Sequence, residues 1–221
     1  IEEINRGNAP AIFGDIFQLL DRDDIGNSAY EITNADVAEK VYGEDSTGKV
    51  TLPPNLSILA TMNTSDQNVF TLDTAFQRRW NMRMVENDVF KSTIAKKTIL
   101  DTTIKWADFA VAINDLIIAK NVGMTSSEDK RLGAYFVTEK DLKFYTTDDN
   151  IAQEEADDRN HNFPEKVLKY LWDDAFKFTR DEVFKSDYDS LEKLIKAFET
   201  KQGDKRFDVF ADDIFGLNQD E

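Results

Sequence analysis

The sequence predicts an α/β segment over residues 1–85 followed by a mainly α-helical segment over residues 86–221. Three observations predict it. Leu56-Ser57-Ile58-Leu59-Ala60-Thr61-Met62 is nearly all apolar, as a strand covered on both faces must be. Trp80, Met82 and Met84 alternate with Asn81 and Arg83, the period of a strand with one buried face. Beyond about Glu86 the period becomes helical, with Ile104, Trp106, Phe109, Ala110, Ile113, Leu116 and Ile117 on one face.

Within the first segment, Asn8 is a candidate helix N-cap with Pro10 in the first turn. Ile12, Phe13, Ile16, Phe17 and Leu20 then predict one amphipathic helix to about Leu20. Asp21 to Lys49 is polar and turn-rich, broken by Gly26-Asn27, Gly43 and Gly48, with room for a hairpin of Tyr30-Glu31-Ile32 against Lys49-Val50-Thr51. Pro53-Pro54 leads into the apolar strand, and a loop with Asn63, Thr64 and Asp66 leaves it. Asp73 or Thr71 caps a short helix through Arg79.

In the second segment, 121–137 reads as a linker and 148–158 as a solvated acidic loop, since clustered like charges repel. Pro164 opens a long helix with Val167, Leu168, Leu171, Trp172, Ala175 and Phe176 facing inward. Asp189 and Glu192 form a capping box for a last helix carrying Leu191, Leu194, Ile195 and Phe198. His161, the sole histidine, reads as solvated rather than as a ligand.

With 41% apolar residues, 16 of them Phe, the 221-residue chain can build a core. Its 27 basic and 43 acidic residues give a net charge of −16, a poor match to phosphate backbones. Direct DNA binding by this segment is therefore disfavoured, though not by a further domain. The absence of cysteine excludes disulfides and thiolate metal sites. No apolar run approaches the roughly 18–20 residues of a membrane span, and a cytoplasmic protein is expected.

Three clusters fit nucleoside triphosphate hydrolysis, which needs a metal, an oriented water and positive charge at the developing anion. Glu2-Glu3 places two carboxylates at a strand end, where both can serve one target; a bare acidic pair would otherwise be two surface glutamates. Met62-Asn63-Thr64-Ser65-Asp66 offers a neutral amide, Asn63, for a phosphate oxygen or the attacking water, with Asp66 tying down the loop; an ordinary Asx turn has the same composition. Arg78-Arg79 at a helix C-terminus suits the macrodipole, or supplies an arginine finger to a neighbouring subunit. Successive helical side chains diverge by about 100°, so the two should divide their tasks, Arg78 as finger and Arg79 as structural.

Acidic pair, Asn-bearing loop and Arg-Arg helix, in this order, resemble the Walker B, sensor 1 and arginine-finger elements of an AAA+ ATPase. Ile1-Glu2-Glu3-Ile4-Asn5-Arg6-Gly7-Asn8, Leu52 to Asp66 and Leu72-Asp73-Thr74-Ala75-Phe76-Gln77-Arg78-Arg79-Trp80 are similar to the McrB family, GTP-driven AAA+ subunits of methylcytosine-dependent restriction systems in the dynein-related branch. The resemblance is specific over 1–85 and looser beyond, where Leu132 to Phe136 and Lys166 to Trp172 look like a helical lid. It implies the C-terminal half of an AAA+ P-loop NTPase core with an α-helical lid. It implies Glu2 and Glu3 at Mg²⁺, Glu3 as catalytic carboxylate, Asn63 as sensor 1 with Thr64 and Asp66, and Arg78 and Arg79 at the finger position. In the lid, Lys130 or Arg131 is expected to contact the nucleotide. GTP or ATP is the implied substrate. The implied partners are further copies in a hexameric ring, a nuclease subunit, and DNA held by an upstream domain.

Glu2 stands where Asp is commoner, and Trp80 replaces the usual Phe. Gly-x-x-x-x-Gly-Lys-Ser/Thr occurs nowhere in the 221 residues. The chain is accordingly expected to be the C-terminal part of a larger protein and inactive alone. Two other readings stay open: an AAA+ protein remodeller of the MoxR type, and a non-catalytic acidic interaction module.

Overall fold

The computed structural model describes residues 1–43, 47–63, 69–121, 128–211 and 214. It separates into two units, Ile1–Val85 and Glu86–Glu221.

In the first unit a single 3-10 turn, Ile4–Arg6, precedes α1 (Ala9–Phe13) and α2 (Ile16–Leu19). Asn8 caps α1, its side chain accepting from Ala11 N at 3.3 Å. The one helix expected from Asn8 to Leu20 is broken at Gly14, whose φ of 51° and ψ of −130° suit a residue without Cβ. The break rotates α2 so that Phe13 and Phe17 both reach Phe76, with ring centroids 5.5 and 5.6 Å away, while Ile12 and Ile16 stay exposed. Ile4, Ala9, Leu20, Leu72 and Phe76 form the buried centre of this unit.

The expected hairpin is present in short form. β1 (Ile32–Thr33) pairs antiparallel with β2 (Lys49–Val50), Ile32 opposite Val50. Between them lies α3 (Ala35–Tyr42), which the polar reading of this stretch missed. Asn34 caps it, accepting from Val37 N at 3.0 Å, and Gly43 ends it at φ 76°. Arg22 ties the turn to the Pro-Pro segment through Nη1 bonds of 3.0 Å to both Gly26 O and Leu52 O. α4 (Thr74–Gln77) is capped by Asp73, whose Oδ1 accepts from Phe76 N at 2.7 Å.

Two expected strands differ. The 56–62 run is covered on one face only: Ile58 and Ala60 pack on the core, whereas Leu59 is 85% exposed. It pairs with the chain's first residues instead of entering a sheet. Residues 81–87 make no backbone hydrogen bond among the described residues, and Met84 and Val85 are 81% and 90% exposed. Alternation alone does not make a strand when no neighbouring backbone accepts it.

The second unit is helical. A 3-10 turn at Val89–Lys91 precedes α5 (Trp106–Lys120), which buries Trp106, Phe109, Ala110, Ile113 and Ile117, as its period predicts. Asn114, also buried, pins the following segment by exchanging two bonds with Leu132, 2.6 Å from Leu132 N and 3.0 Å to Leu132 O. After α6 (Glu139–Leu142) comes α7 (Gln153–Phe163), a helix where a solvated loop was expected. Glu154 and Glu155 complement the dipole of its first turn, and Gln153–Asp157 and Glu155–Arg159 contacts span one turn at 2.7 and 2.5 Å.

Pro164 therefore opens no helix; it lies inside a rod that began at Gln153. The rod widens to π turns at Pro164–Leu168 and Leu171–Ala175, Phe176 N donating five residues back to Leu171 O at 2.8 Å. Widening accommodates a residue that has no N–H for the regular ladder. The expected inward residues from Val167 to Phe176 are all buried. After α8 (Arg180–Val183), α9 (Leu191–Thr200) is capped by Ser190, not by an Asp189 box: Ser190 Oγ accepts from Lys193 N at 3.3 Å, and Asp189 instead meets Lys193 Nζ at 2.8 Å. A 3-10 segment, Gly203–Val209, packs Phe207 and Val209 into the same core.

Candidate functional site

Two segments distant in sequence meet in the first unit. The amino group of Ile1 donates to Leu59 O at 2.8 Å and Thr61 N donates to Ile1 O at 2.9 Å, so residues 59 and 61 bracket Ile1 as in a parallel strand pair. Glu3 then leaves the strand direction, with φ 48° and ψ 53°. That left-handed conformation costs a residue bearing Cβ about 1–2 kcal/mol. Ile4 N reaches Thr61 O at 2.9 Å and Glu3 N reaches Thr61 Oγ1 at 3.1 Å. Asn5, buried, donates Nδ2 to Asn63 O at 2.7 Å and accepts at its own carbonyl from Phe70 N at 2.8 Å. The acidic pair and the Asn63 segment are thus stitched together by five hydrogen bonds.

Glu2 and Glu3 both face solvent. Glu3 Oε2 accepts from Arg6 Nε at 2.7 Å. Thr64 and Asp66 lie outside the described residues. No group of three or more His, Asp or Glu side chains suited to a metal occurs among the described residues. Two exposed carboxylates nevertheless fit Mg²⁺, which keeps waters and takes one or two carboxylates beside substrate phosphates rather than a protein cage.

The two arginines follow α4, Arg78 as its C-cap residue, and differ in exposure. Arg79 points inward: Nη2 meets Asp21 Oδ2 at 2.7 Å, Nη1 donates to Ala75 O at 2.6 Å, and the guanidinium lies 4.0 Å over the Phe17 ring. The Arg78 side chain is exposed and has no hydrogen bond or ion pair among the described residues. In the second unit, Arg131 Nε donates to Glu128 O at 3.3 Å and Lys130 pairs with Asp174.

Sequence reasoning passed over Thr61, Asp21 and the partner role of Arg6. A hydroxyl in an otherwise apolar run was the available signal for Thr61; nothing local marked Asp21.

The second unit also holds a cavity of about 600 Å³ beside Tyr145, Asp157, His161, Glu199 and Arg206. His161 Nε2 lies 3.7 Å from Glu199 Oε1. Burial pushes the Glu199 carboxyl up, the His161 charge opposing and Glu165 adding. Burial would also raise Asp101, but the Arg206 guanidinium at 2.5 Å and Gly203 N–H at 2.9 Å outweigh it and hold that carboxyl below its ordinary range.

Proteins similar to this chain are restriction-system components. It is 36% identical over 185 residues, 80% of its length, to the type II restriction enzyme BsuMI component YdiS of Bacillus subtilis (strain 168). It is 31% identical over 87 residues, 39% of its length, to the type IV methyl-directed restriction enzyme EcoKMcrB subunit of Escherichia coli (strain K12). The chain covers 48% of the first relative and 17% of the second. No family model and no solved structure matches it. No helix among the described residues is long and apolar enough to cross a membrane.

Proposed function

We propose that the chain supplies the hydrolytic side of a nucleoside triphosphate site, GTP or ATP, in an AAA+ motor of a restriction system. The observation that carries this reading is the juxtaposition of Glu2-Glu3 with the Asn63 segment through the Ile1–Thr61 pairing and the Asn5–Asn63 bond. A water-polarising carboxylate and a neutral amide on adjoining strand ends suit a shared phosphate target. The restriction-system relatives support the setting.

In this reading Glu3 polarises the attacking water and Asn63 contacts the transferred phosphoryl group or that water. Glu2 helps hold Mg²⁺, which when bound offsets phosphate charge. Arg78, exposed at the C-terminal end of α4, serves a neighbouring copy's nucleotide, and Arg79 holds α4 in place. A lysine-bearing phosphate cradle comes from polypeptide outside these 221 residues. A ring of copies, a nuclease subunit and a DNA-reading domain complete the assembly.

Steady-state hydrolysis by the complete protein tests it. Glu3→Gln should abolish turnover while nucleotide stays bound; undiminished turnover would refute the assignment. The isolated 221 residues should bind neither GTP nor ATP, and micromolar affinity in a titration would contradict the need for an added cradle.

A further inference from the structure

We infer, independently of the nucleotide-site reading, that the cleft in the second unit binds a guanidinium group on an apolar stem, anchored by the Glu199 carboxylate. The volume of about 600 Å³ is ordinary for a small-ligand pocket. The walls are fixed by bonds of the chain itself. Asn160, on α7, accepts from Tyr145 N at 2.8 Å and donates to Tyr145 O at 2.9 Å, which holds that segment against the helix. Arg206 donates to Asp101 Oδ1 at 2.5 Å and to the carbonyls of Phe198 and Glu199 at 3.0 and 3.3 Å, which ties down the end of α9.

The charges around the cleft select a cation. Asp101, Asp157 and Glu199 line it, and among the described residues Arg206 is the only lining Lys or Arg. Arg206 is buried and already matched by Asp101. Lys143 and Arg159 stand over the Tyr145 ring at 4.7 and 5.0 Å, but each is paired, with Asp149 and Glu155, at 2.5 Å. Asp157 accepts from the neutral Gln153 amide at 2.7 Å and meets no cation among the described residues. The Glu199 carboxylate accepts no hydrogen bond among them, since His161 Nε2 at 3.7 Å is beyond reach. Burial pushes this carboxyl up despite the opposing His161 charge, as expected of an acid that lacks a close counter-charge.

Both Glu199 oxygens are therefore open, which suits the two parallel donors of a planar guanidinium better than a single ammonium. The Phe144 ring lines the same cleft and gives the stem an apolar wall. A metal ion is a poorer match, because no group of three or more His, Asp or Glu side chains suited to one occurs among the described residues.

The test is calorimetric titration of the complete protein with butylguanidinium, its neutral isostere butylurea, and a capped Gly-Arg-Gly tripeptide. Butylguanidinium should bind saturably and butylurea should not. Glu199→Gln should weaken binding roughly tenfold to a hundredfold, the usual contribution of a charged hydrogen-bonded contact, with the melting temperature unchanged. Glu192→Gln, at an exposed position of α9, should change nothing, which separates the cleft from general attraction to an acidic surface. A tripeptide that binds with the same Glu199 dependence identifies the source as a partner protein's arginine. A tripeptide that fails where butylguanidinium succeeds identifies a free guanidinium compound. Absence of saturable binding, equal binding of butylurea, undiminished affinity in Glu199→Gln, or an equal loss in Glu192→Gln overturns the inference. If Glu199→Gln does not fold, Asp157→Asn takes its place, and undiminished affinity there overturns it as well.

Discussion

Arg79 and Arg78 are adjacent and chemically identical, yet one is enclosed and the other free to reach outward. The Arg79 side chain is 7% exposed and faces Asp21, 58 residues away in sequence. Breaking a partly enclosed ion pair leaves an uncompensated charge, so Arg79→Ala should destabilise the first unit by about 2–3 kcal/mol, read from urea denaturation. Arg78→Ala should leave that midpoint within about 0.5 kcal/mol, as surface changes do. In the complete protein it should nevertheless slow hydrolysis by roughly 10³-fold. Equal loss of stability in both variants would erase the distinction. Helical divergence made a division of labour legible in the sequence; what assigns Arg79 its structural share is Asp21, and only the folded chain brings it near.

At the scale of elements, periodicity was informative where a helix buries one full stripe, as from Trp106 to Ile117. It misled where termini decide. The acidic α7 forms because its carboxylates sit in the first turn and pair along the helix, an arrangement that net charge alone conceals. The break at Gly14 was visible as a glycine, but the Ile-Phe pattern runs through it without interruption. At α9 the cap belongs to Ser190, so Ser190→Ala should cost about 1 kcal/mol in chemical denaturation. Asp189→Ala, which removes only an exposed contact to Lys193, should cost less than about 0.5 kcal/mol. The reverse order would restore the Asp189 box. For the candidate site, the three clusters were legible as motifs, whereas the bonds joining Glu3, Thr61 and Asn63 depend on segments nearly sixty residues apart and had no local sign.

Over the whole molecule, charge and exposed apolar surface set the behaviour. Asp101 titrates below its ordinary value of 3.8 in the folded state because Arg206 and Gly203 favour the carboxylate. A depressed carboxyl stabilises the fold above its unfolded value, and that contribution is lost as pH falls through the folded one. Urea midpoints should therefore drop on acidification below about pH 4, and Asp101→Asn should flatten that part of the profile while lowering the neutral plateau. Met84 and Val85 stand in water on backbone that no described segment pairs. Such a surface is a template for strand addition between molecules. Concentrated stocks of the bare 221 residues should accordingly scatter light and seed thioflavin-binding fibrils on standing, and an Arg83→Pro change, which interrupts the tacky ribbon at its middle, should delay their appearance.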